Sequence, residues 1–360
     1  MMMRLIERAL VLFALFPVLA SPGKAARLSG EWSTLFYTFP SSEPSWIVQE
    51  NLRLEFQADL TRGLEFEYGG KVILEAPSRS LPERETVYRL FALQETSLFQ
   101  GDGYGLLYDT RQLAFSLYTE TADLIVGRQV IAWGASRITN PTDLFAPVPL
   151  RDFERDVRDG VDGVRVRIPT GMASELDFGV VGENREGSLS AAVFGRASFG
   201  LGNADGSLIY AYTGEGHFTG ADLAGYLGQA GFWLEGGLYW RRAGDGANAG
   251  ALSAGLEGHL TPSLSGAVEL LWAQPSYPLA AFREAGVENT KTASLLVTWQ
   301  HGLMTFSAKA MAGLEHREEI LLLQGEYNIA DNTYLRSGAM IVPQQSSESG
   351  SSFLALKIYF

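Results

Sequence analysis

Regularly spaced aspartates beside glycines are the best candidate for a metal site in this sequence. Asp156, Asp159 and Asp162 recur every third residue in the stretch DVRDGVDG, next to Gly160 and Gly163. Carboxylate oxygens on a glycine-flexed loop are ligands that Ca²⁺ accepts, but the spacing differs from that of an EF-hand loop. Neighbouring arginines offer each carboxylate a nearer partner. We therefore expect salt bridges here and predict no metal and no cofactor.

Other residue types that support catalysis are scattered along the chain. There is no cysteine, which excludes disulfides, thiolate metal sites and haem-attachment motifs. His217, His259, His301 and His316 show no metal-ligand spacing, and no local signature places one of them beside a nucleophilic serine. The stretch GDGYG at 101–105 lacks the strand-loop-helix context of a phosphate site. The sequence therefore predicts that the protein is not an enzyme.

Charge and the N-terminal segment limit where the protein acts. The formal net charge is −13 over 360 residues, which argues against nucleic acid as a partner because phosphate binding needs clustered basic surface. Arg4 and Arg8 precede an apolar run at 9–20, and small residues follow. This pattern predicts a secretory signal peptide at 1–26, with cleavage after Ala20 or nearer Ala25 or Ala26. The mature domain is then 27–360.

The elements that must position the charged residues are β-strands. In 52–60 and again in 64–75, apolar and charged residues alternate with period two. Such strands fit a soluble sandwich, with a polar face in water. They also fit an outer-membrane barrel, with an apolar face in lipid and a polar face in the lumen. Strand length and turn length decide between these two folds.

The strand count and the connections favour a barrel. The pattern predicts about eighteen strands, each near the 9–11 residues that cross a bilayer when tilted. Short turns alternate with mostly longer loops, as in outer-membrane barrels. This parity requires 76–104 to be an extracellular loop with some strand-like structure. We predict an all-β, antiparallel, up-and-down transmembrane barrel of about 18 strands (16–18), located in the bacterial outer membrane and surrounded by its lipids.

The last ten residues, SSFLALKIYF, form an amphipathic strand that ends in Phe360. A C-terminal phenylalanine on such a strand resembles the signal that the bacterial barrel-assembly machinery reads. The sequence therefore predicts that machinery as a partner. An ordinary closing strand of a soluble sheet is the alternative.

The segment at 133–159 interrupts the strands. Three prolines prevent a continuous ladder, and Thr142–Phe145 is predicted to form a short helix or 3₁₀ turn capped by Thr142. Leu144, Phe145, Val148 and Leu150 make the segment too apolar to extend into water. We expect it to fold against the inner wall and narrow the lumen. A lid folded outward is the alternative.

At this segment the chain resembles a known group. Gly127-Arg128-Gln129, then Trp133-Gly134, then the residues Asn140 to Pro147 (NPTDLFAP) are similar to a pattern in porin-like outer-membrane proteins of proteobacteria, with a looser likeness to alginate-export-type barrels. Tyr88-Arg89-Leu90 upstream also resembles part of it. The resemblance covers about 60 residues. It implies a barrel with a narrowed lumen, monomeric or homo-oligomeric, and names no solute and no catalytic residue.

Together these patterns predict an outer-membrane porin for passive diffusion of small polar or charged solutes, with 133–159 as the selectivity element. Net negative charge favours mild cation preference, which arginines at the narrowest point could reverse. The alternative is a barrel scaffold for a periplasmic or lipoprotein partner, such as an electron-transfer cytochrome. The predicted constriction residues are arginines facing carboxylates: Arg128, Arg137, Arg151, Arg155, Arg165 and Arg167, with Asp143, Asp152, Glu65 and Glu67.

Overall fold

The computed structural model of the chain describes residues 26–39, 46–77, 88–90, 96–101, 103–146, 158–185, 188–242, 248–274, 277, 291–315, 319–342 and 350–360. All but the last residue of the predicted signal peptide lies outside them. Among the described residues, no helix has the length and apolarity needed to cross a bilayer.

Nineteen β-strands make up most of the described chain. Their bounds are β1 Ala26–Thr38, β2 Trp46–Thr61, β3 Leu64–Ala76, β4 Thr96–Gly101, β5 Tyr104–Tyr118, β6 Asp123–Gln129, β7 Val161–Gly171, β8 Ser174–Arg185, β9 Ser188–Leu201, β10 Ala204–Thr213, β11 Gly216–Leu227, β12 Ala230–Arg241, β13 Ala249–Thr261, β14 Leu264–Ala273, β15 Lys291–His301, β16 Met304–Gly313, β17 Glu319–Ala330, β18 Thr333–Ile341 and β19 Gly350–Tyr359.

Eighteen of these strands close into one antiparallel barrel. Each wall strand pairs with the next along the chain, and β1 pairs with β19 from Glu31↔Tyr359 to Thr38↔Ser352. Closure removes the exposed edges that an open sheet would present, which is a requirement inside a bilayer. The predicted fold class and strand number are confirmed.

The remaining strand, β4, belongs to a loop, as the turn parity predicted. β3 pairs directly with β5, and β4 pairs only with the outer end of β5, at Tyr104–Tyr108. β6 is shorter than predicted: it ends at Gln129, three residues before 132, because the chain then turns out of the wall. Gly127, at φ 123°, distorts the backbone just before that exit.

Opposite strand faces meet different surroundings. On β12, Leu234, Leu238 and Trp240 are exposed on one face, whereas Glu235 and Tyr239 are buried on the other. The exposed leucines form the band that meets acyl chains, and the other face points into the barrel. Aromatic rings gather near both strand ends, in the pairs Phe36–Trp46, Tyr212–His217, Trp299–Phe306 and Tyr334–Tyr359, as interfacial belts require.

The buried apolar core lies inside the barrel, and it draws side chains from β7–β14 and also from β1, β16, β17 and β19. Ile131, Trp133 and Phe145, which follow β6, pack with inward-facing side chains such as Val181 of β8 and Ile209 of β10. A barrel of this strand number is wide enough for an aqueous channel. This core therefore fills part of an interior that would otherwise hold water.

Candidate functional site: a segment docked inside the barrel

Residues Trp133–Ala146, here named the constriction segment, cross the lumen after β6 and dock on the inner wall. The Trp133 ring lies 5.2 Å from Phe145 and 5.2 Å from Phe194 of β9, in edge-on geometry. Leu144 packs partly buried against the same core. The predicted in-folding is confirmed for these residues. Val148 and Leu150 lie outside the described residues.

A buried carboxylate on the far wall holds the segment by its backbone. Glu235 of β12 is 0% exposed. One carboxylate oxygen accepts hydrogen bonds from the N–H groups of Ala135 at 2.7 Å and Ser136 at 2.8 Å. The other accepts from the Thr142 N–H at 2.8 Å and the Thr142 hydroxyl at 2.9 Å. These charge-assisted bonds satisfy a charge that would be costly to bury alone.

A second carboxylate, Glu269 of β14, holds the middle of the segment. It accepts hydrogen bonds from the N–H groups of Ile138 at 3.1 Å and Thr139 at 2.9 Å, and from the Thr139 hydroxyl at 2.6 Å. Trp233 Nε1 donates to the same carboxylate at 3.2 Å. Irregular backbone at membrane depth needs such internal partners, because no lipid group can supply them.

Close approach of the segment to the wall requires glycine at two points. Gly134 has φ 102°, and a Cβ there would lie 2.6 Å from Glu235 Oε1. On the wall, a Cβ at Gly237 would lie 2.2 Å from the Tyr277 hydroxyl oxygen. That hydroxyl donates to the Pro141 carbonyl at 2.6 Å. A second loop, after β14, therefore also fixes the constriction segment.

Arg137 lies at the tip of the segment and is the most water-exposed of its anchors. It donates from Nε and Nη2 to both oxygens of Glu257 on β13, at 2.9 and 2.7 Å. Its guanidinium also lies 5.8 Å from the Trp233 ring centroid. The Arg137 side chain is 49% exposed, so water screens this pair and it stabilises docking only weakly.

Asp143 contacts the return limb of the same loop. It forms an ion pair with Arg158, whose side chain also reaches the Ala146 carbonyl. Burial raises the pKa of the Asp143 carboxyl to about 6, against the opposing effect of Arg158. The predicted helical turn at Thr142–Phe145 is wrong. A turn closed by Asp143 N–H to Asn140 C=O replaces it, because Glu235 binds the Thr142 N–H and hydroxyl that would start a helix.

The wall arginines predicted for the constriction form ion pairs with carboxylates on neighbouring strands. Arg128 forms a bidentate pair with Asp162 at 2.7 and 2.9 Å and is buried in the wall. Arg165 binds both oxygens of Asp177 at 2.8 and 2.7 Å. Arg167 binds Glu175 of β8 at 2.7 Å. Their described partners are thus carboxylates other than the four predicted.

The predicted carboxylates Glu65 and Glu67 lie on the inner face of β3, near the turn that joins β2 to β3. Glu65 accepts a hydrogen bond from Gln57, and Glu67 accepts one from Gln112 at 3.0 Å. The described contacts do not bring either of them to Arg137. Arg151, Asp152 and Arg155 lie outside the described residues. The structure thus brings Arg137 and Asp143 together in one segment and leaves the other described members in the wall.

The aspartates at 159 and 162 are engaged with arginines, but these arginines are distant in sequence and are not the neighbouring ones that the sequence suggested. Asp162 pairs with Arg128, and Asp159 lies 3.7 Å from Arg89. Asp156 lies outside the described residues. Within the part of the chain that the structure describes, no cluster of histidines and carboxylates has metal-ligand geometry.

Glu235 and Glu269 hold the segment, and the sequence analysis did not identify either of them. Glu235 stands alone among apolar and glycine residues in FWLEGGLYW, and Glu269 stands alone in AVELLWA. A lone carboxylate at an inward position of an apolar strand needs a buried partner. That signal marks both residues, although it does not identify what they bind.

Fold and site together define a class: an outer-membrane β-barrel of 18 strands whose lumen is narrowed by a docked segment of its own chain. Solved structures with this fold match nearly the whole chain. No protein-family model and no curated protein sequence matches it.

Three of the solved structures illustrate the likeness. Acinetobacter baumannii OccAB4 has a TM-score of 0.62 at 10% identity, over 94% of this chain and 98% of that chain. Pseudomonas aeruginosa OccK5 (OpdH) has 0.60 at 11%, over 94% and 97%. Pseudomonas aeruginosa OpdK with vanillate has 0.61 at 9%, over 93% and 98%. At these identities the likeness establishes a porin-type outer-membrane fold.

Proposed function

We propose that this protein is a passive outer-membrane porin for small polar or charged solutes. The observation that carries the proposal is that one part of the inner wall is covered by the constriction segment and another part is left uncovered. The wall of β8–β14 is covered at mid-height by the constriction segment, with Glu235 and Ile209 buried. On β2, by contrast, the inward-facing Glu55, Gln57 and Asp59 remain exposed. Water therefore occupies the lumen on the side away from the segment.

The uncovered part of the inner wall carries fixed charges of both signs, which suits polar solutes and rejects apolar ones. At mid-height Glu31 lies between Arg53 at 3.3 Å and Lys357 at 3.1 Å. Nearer the short turns, Glu65 and Glu67 make the wall acidic. A solute therefore passes a mixed belt and then a negative surface.

Within this proposal, solutes with an anionic group fit the mixed belt best. The Nε atoms of Arg53 and Arg111 are buried and donate no hydrogen bond within the described residues. Arg111 is repelled by the Arg53 guanidinium and attracted by the carboxylates of Asp159, Glu55 and Asp109. An anion between the two guanidinium groups would accept hydrogen bonds from both Nε atoms and would reduce the repulsion between the two arginines. One solved structure of the same fold, OpdK, contains vanillate, which supports a carboxylate as the first anion to test.

The constriction role proposed from the sequence rests on the same division. Arg137 and Asp143 belong to the docked segment, whereas Arg128, Arg165 and Arg167 shape the wall beside it. The finer likeness to alginate-export-type barrels remains a proposal carried by the residues at 127–147. The scaffold hypothesis gains no support from a lumen that the chain's own segment narrows.

The chain termini fit the proposed route to the membrane. The backbone of Phe360 exchanges hydrogen bonds with Gly30, at 2.8 and 3.0 Å, so the last residue closes the barrel. We propose that this strand is also what the barrel-assembly machinery reads, after a signal peptide at 1–26 directs export. The exposed, outward-facing leucines make outer-membrane lipid the surrounding partner. Cross-linking of the purified protein measures whether it is a monomer or a homo-oligomer.

Conductance of the purified protein in planar bilayers tests the porin function. We expect discrete steps, and a reversal potential in a potassium chloride gradient that shifts toward cation preference in Arg53→Ala. The matched control is Arg336→Ala, on β18, which removes a lumen arginine paired with Glu326. A correctly folded barrel that gives no conductance steps contradicts the proposal.

A further inference from the structure

The barrel wall has a gap beside β5, where β6 ends early. β6 pairs with Leu113–Tyr118 of β5, and β4 pairs with Tyr104–Tyr108. The stretch 109–112 between them is paired with β3 on its other side only, in the described register. Side chains complete the wall there: Arg128 Nη1 donates to the Thr110 carbonyl at 2.8 Å.

Arg89, from the loop before β4, fills this gap. Its neighbours dock in the wall by their backbone: Asp162 N–H donates to the Tyr88 carbonyl at 3.0 Å, and Asn184 N–H donates to the Arg89 carbonyl at 3.0 Å. The Leu90 N–H donates to Asp162 at 2.8 Å. The Arg89 side chain, 3% exposed, is thereby aimed into the seam between β5 and β7.

The guanidinium of Arg89 contacts three groups at once. Nη1 donates to Asp109 of β5 at 2.9 Å, Nε donates to the Gly160 carbonyl at 3.1 Å, and Nη2 lies 3.7 Å from Asp159. The planar guanidinium of arginine spreads its donors over three nitrogens in fixed directions, so that one side chain binds the carboxylate and the carbonyl from separate atoms. Lysine at this position would keep the positive charge but would offer only one donor nitrogen.

The Gly160 carbonyl that binds Arg89 belongs to Arg158–Gly160, the return limb that leads from the constriction segment into β7. Arg111 holds the same limb by the Arg158 carbonyl at 3.3 Å. The Arg158 side chain in turn pairs with Asp143 and the Ala146 carbonyl of the constriction segment. A continuous set of contacts therefore joins β5 to the segment, through Asp109, Arg89, Gly160, Arg158 and Asp143.

We propose that Arg89 is a positioning residue of the constriction: it fixes the limb from which Arg158 holds Asp143, although it lies in a different loop. The Tyr88 ring contributes, with its centroid 5.2 Å from that of Phe145 in edge-on geometry. The inference rests on the proposed porin function for its effect on transport. Its structural content, that Arg89 keeps the segment docked, is independent of transport.

Arg89→Ala, Arg89→Lys and the control Arg336→Ala test the transport effect. Arg336 is another lumen arginine in an ion pair, with Glu326, and it lies on β18 rather than beside the constriction segment. We expect Arg89→Ala to increase single-channel conductance and open-channel noise, Arg89→Lys to fall between it and the parent, and Arg336→Ala to match the parent in noise. Equal noise in Arg89→Ala and the parent overturns the proposal.

A thiol reporter tests docking without any channel measurement. The chain contains no cysteine, so Ser136→Cys places a single thiol at a buried position of the segment. Losing the Arg89 contacts should raise its labelling rate by about tenfold or more, the factor for one charge-assisted hydrogen bond. Glu235→Ala is the positive control. An unchanged rate in Arg89→Ala, with a fast rate in Glu235→Ala, overturns the proposal even if the protein forms no channels.

Discussion

Removing the Glu235 carboxylate should release the constriction segment while leaving the barrel intact. In Glu235→Ala the N–H groups of Ala135, Ser136 and Thr142, and the Thr142 hydroxyl, lose their acceptor. Once the segment leaves the wall, water can hydrate these groups. The variant therefore favours an undocked segment and a wider lumen.

The size of the effect follows from the contacts. A hydrogen bond to a charged group contributes about 1.5–3 kcal/mol net. Taking the lower figure for the three backbone donors gives about 4–5 kcal/mol in favour of undocking. That shifts the ratio of docked to undocked segment by roughly a thousandfold. The effect is large enough to appear as a changed mean conductance rather than as rare events.

Single-channel recording in planar bilayers measures this effect, and Glu257→Ala is the matched control. Glu257 lies on the adjacent strand and also binds the segment, but through Arg137, which is half exposed. Exposed ion pairs contribute about 0–1 kcal/mol. We therefore expect higher conductance and more noise in Glu235→Ala and nearly parental behaviour in Glu257→Ala.

The reasoning is refuted if both variants fold and conduct like the parent. It is also refuted if Glu257→Ala opens the channel as much as Glu235→Ala, because burial would then not decide which carboxylate holds the segment. Heat-modifiable migration in gels confirms that each variant is a folded barrel before recording.

Three further predictions concern the same segment and the wall. Gly134→Ala should raise conductance as Glu235→Ala does, since a Cβ at φ 102° meets Glu235; parental conductance would contradict this. Burial raises the pKa of Asp143 to about 6, so protonation stabilises the docked state and that stability is lost as pH rises through about 6. Open-channel noise should therefore be lower near pH 5 than near pH 7, and Asp143→Asn should remove the difference. Val268→Arg, on the lipid face of β14, should cost about 2–4 kcal/mol and lower the folded fraction in urea titrations.

The barrel was predictable because its determinants are local. Alternation in 52–60 reports the two faces of one strand, and a wrong face would put charge into lipid. The alternation of short and long connections predicts that 76–104 is a loop, and β4 is the strand-like structure within it. The in-folding of 133–146 followed from Leu144 and Phe145, whose apolar surface has to be covered.

The anchors of the segment were not predictable in this way, because each is a tertiary contact. Nothing near Thr142 in the sequence indicates that a glutamate of β12 will take its N–H and prevent a helix. The partners of Arg128, Arg165 and Arg167 depend on strand register, which the alternation leaves open. Once β6 is aligned with β7, Arg128 stands opposite Asp162, and a neighbour in the wall outcompetes any carboxylate across the lumen.

The attachment of the segment to β12 and β14 also fixes when it can form during assembly. Glu235 follows Thr142 by 93 residues, and Glu269 follows Ile138 by 131. Loop closure over such distances is slow and occurs after the intervening hairpins have formed. The nascent barrel therefore passes through a stage in which Trp133 and Phe145 are still uncovered, and docking of the segment follows formation of the strands up to β14.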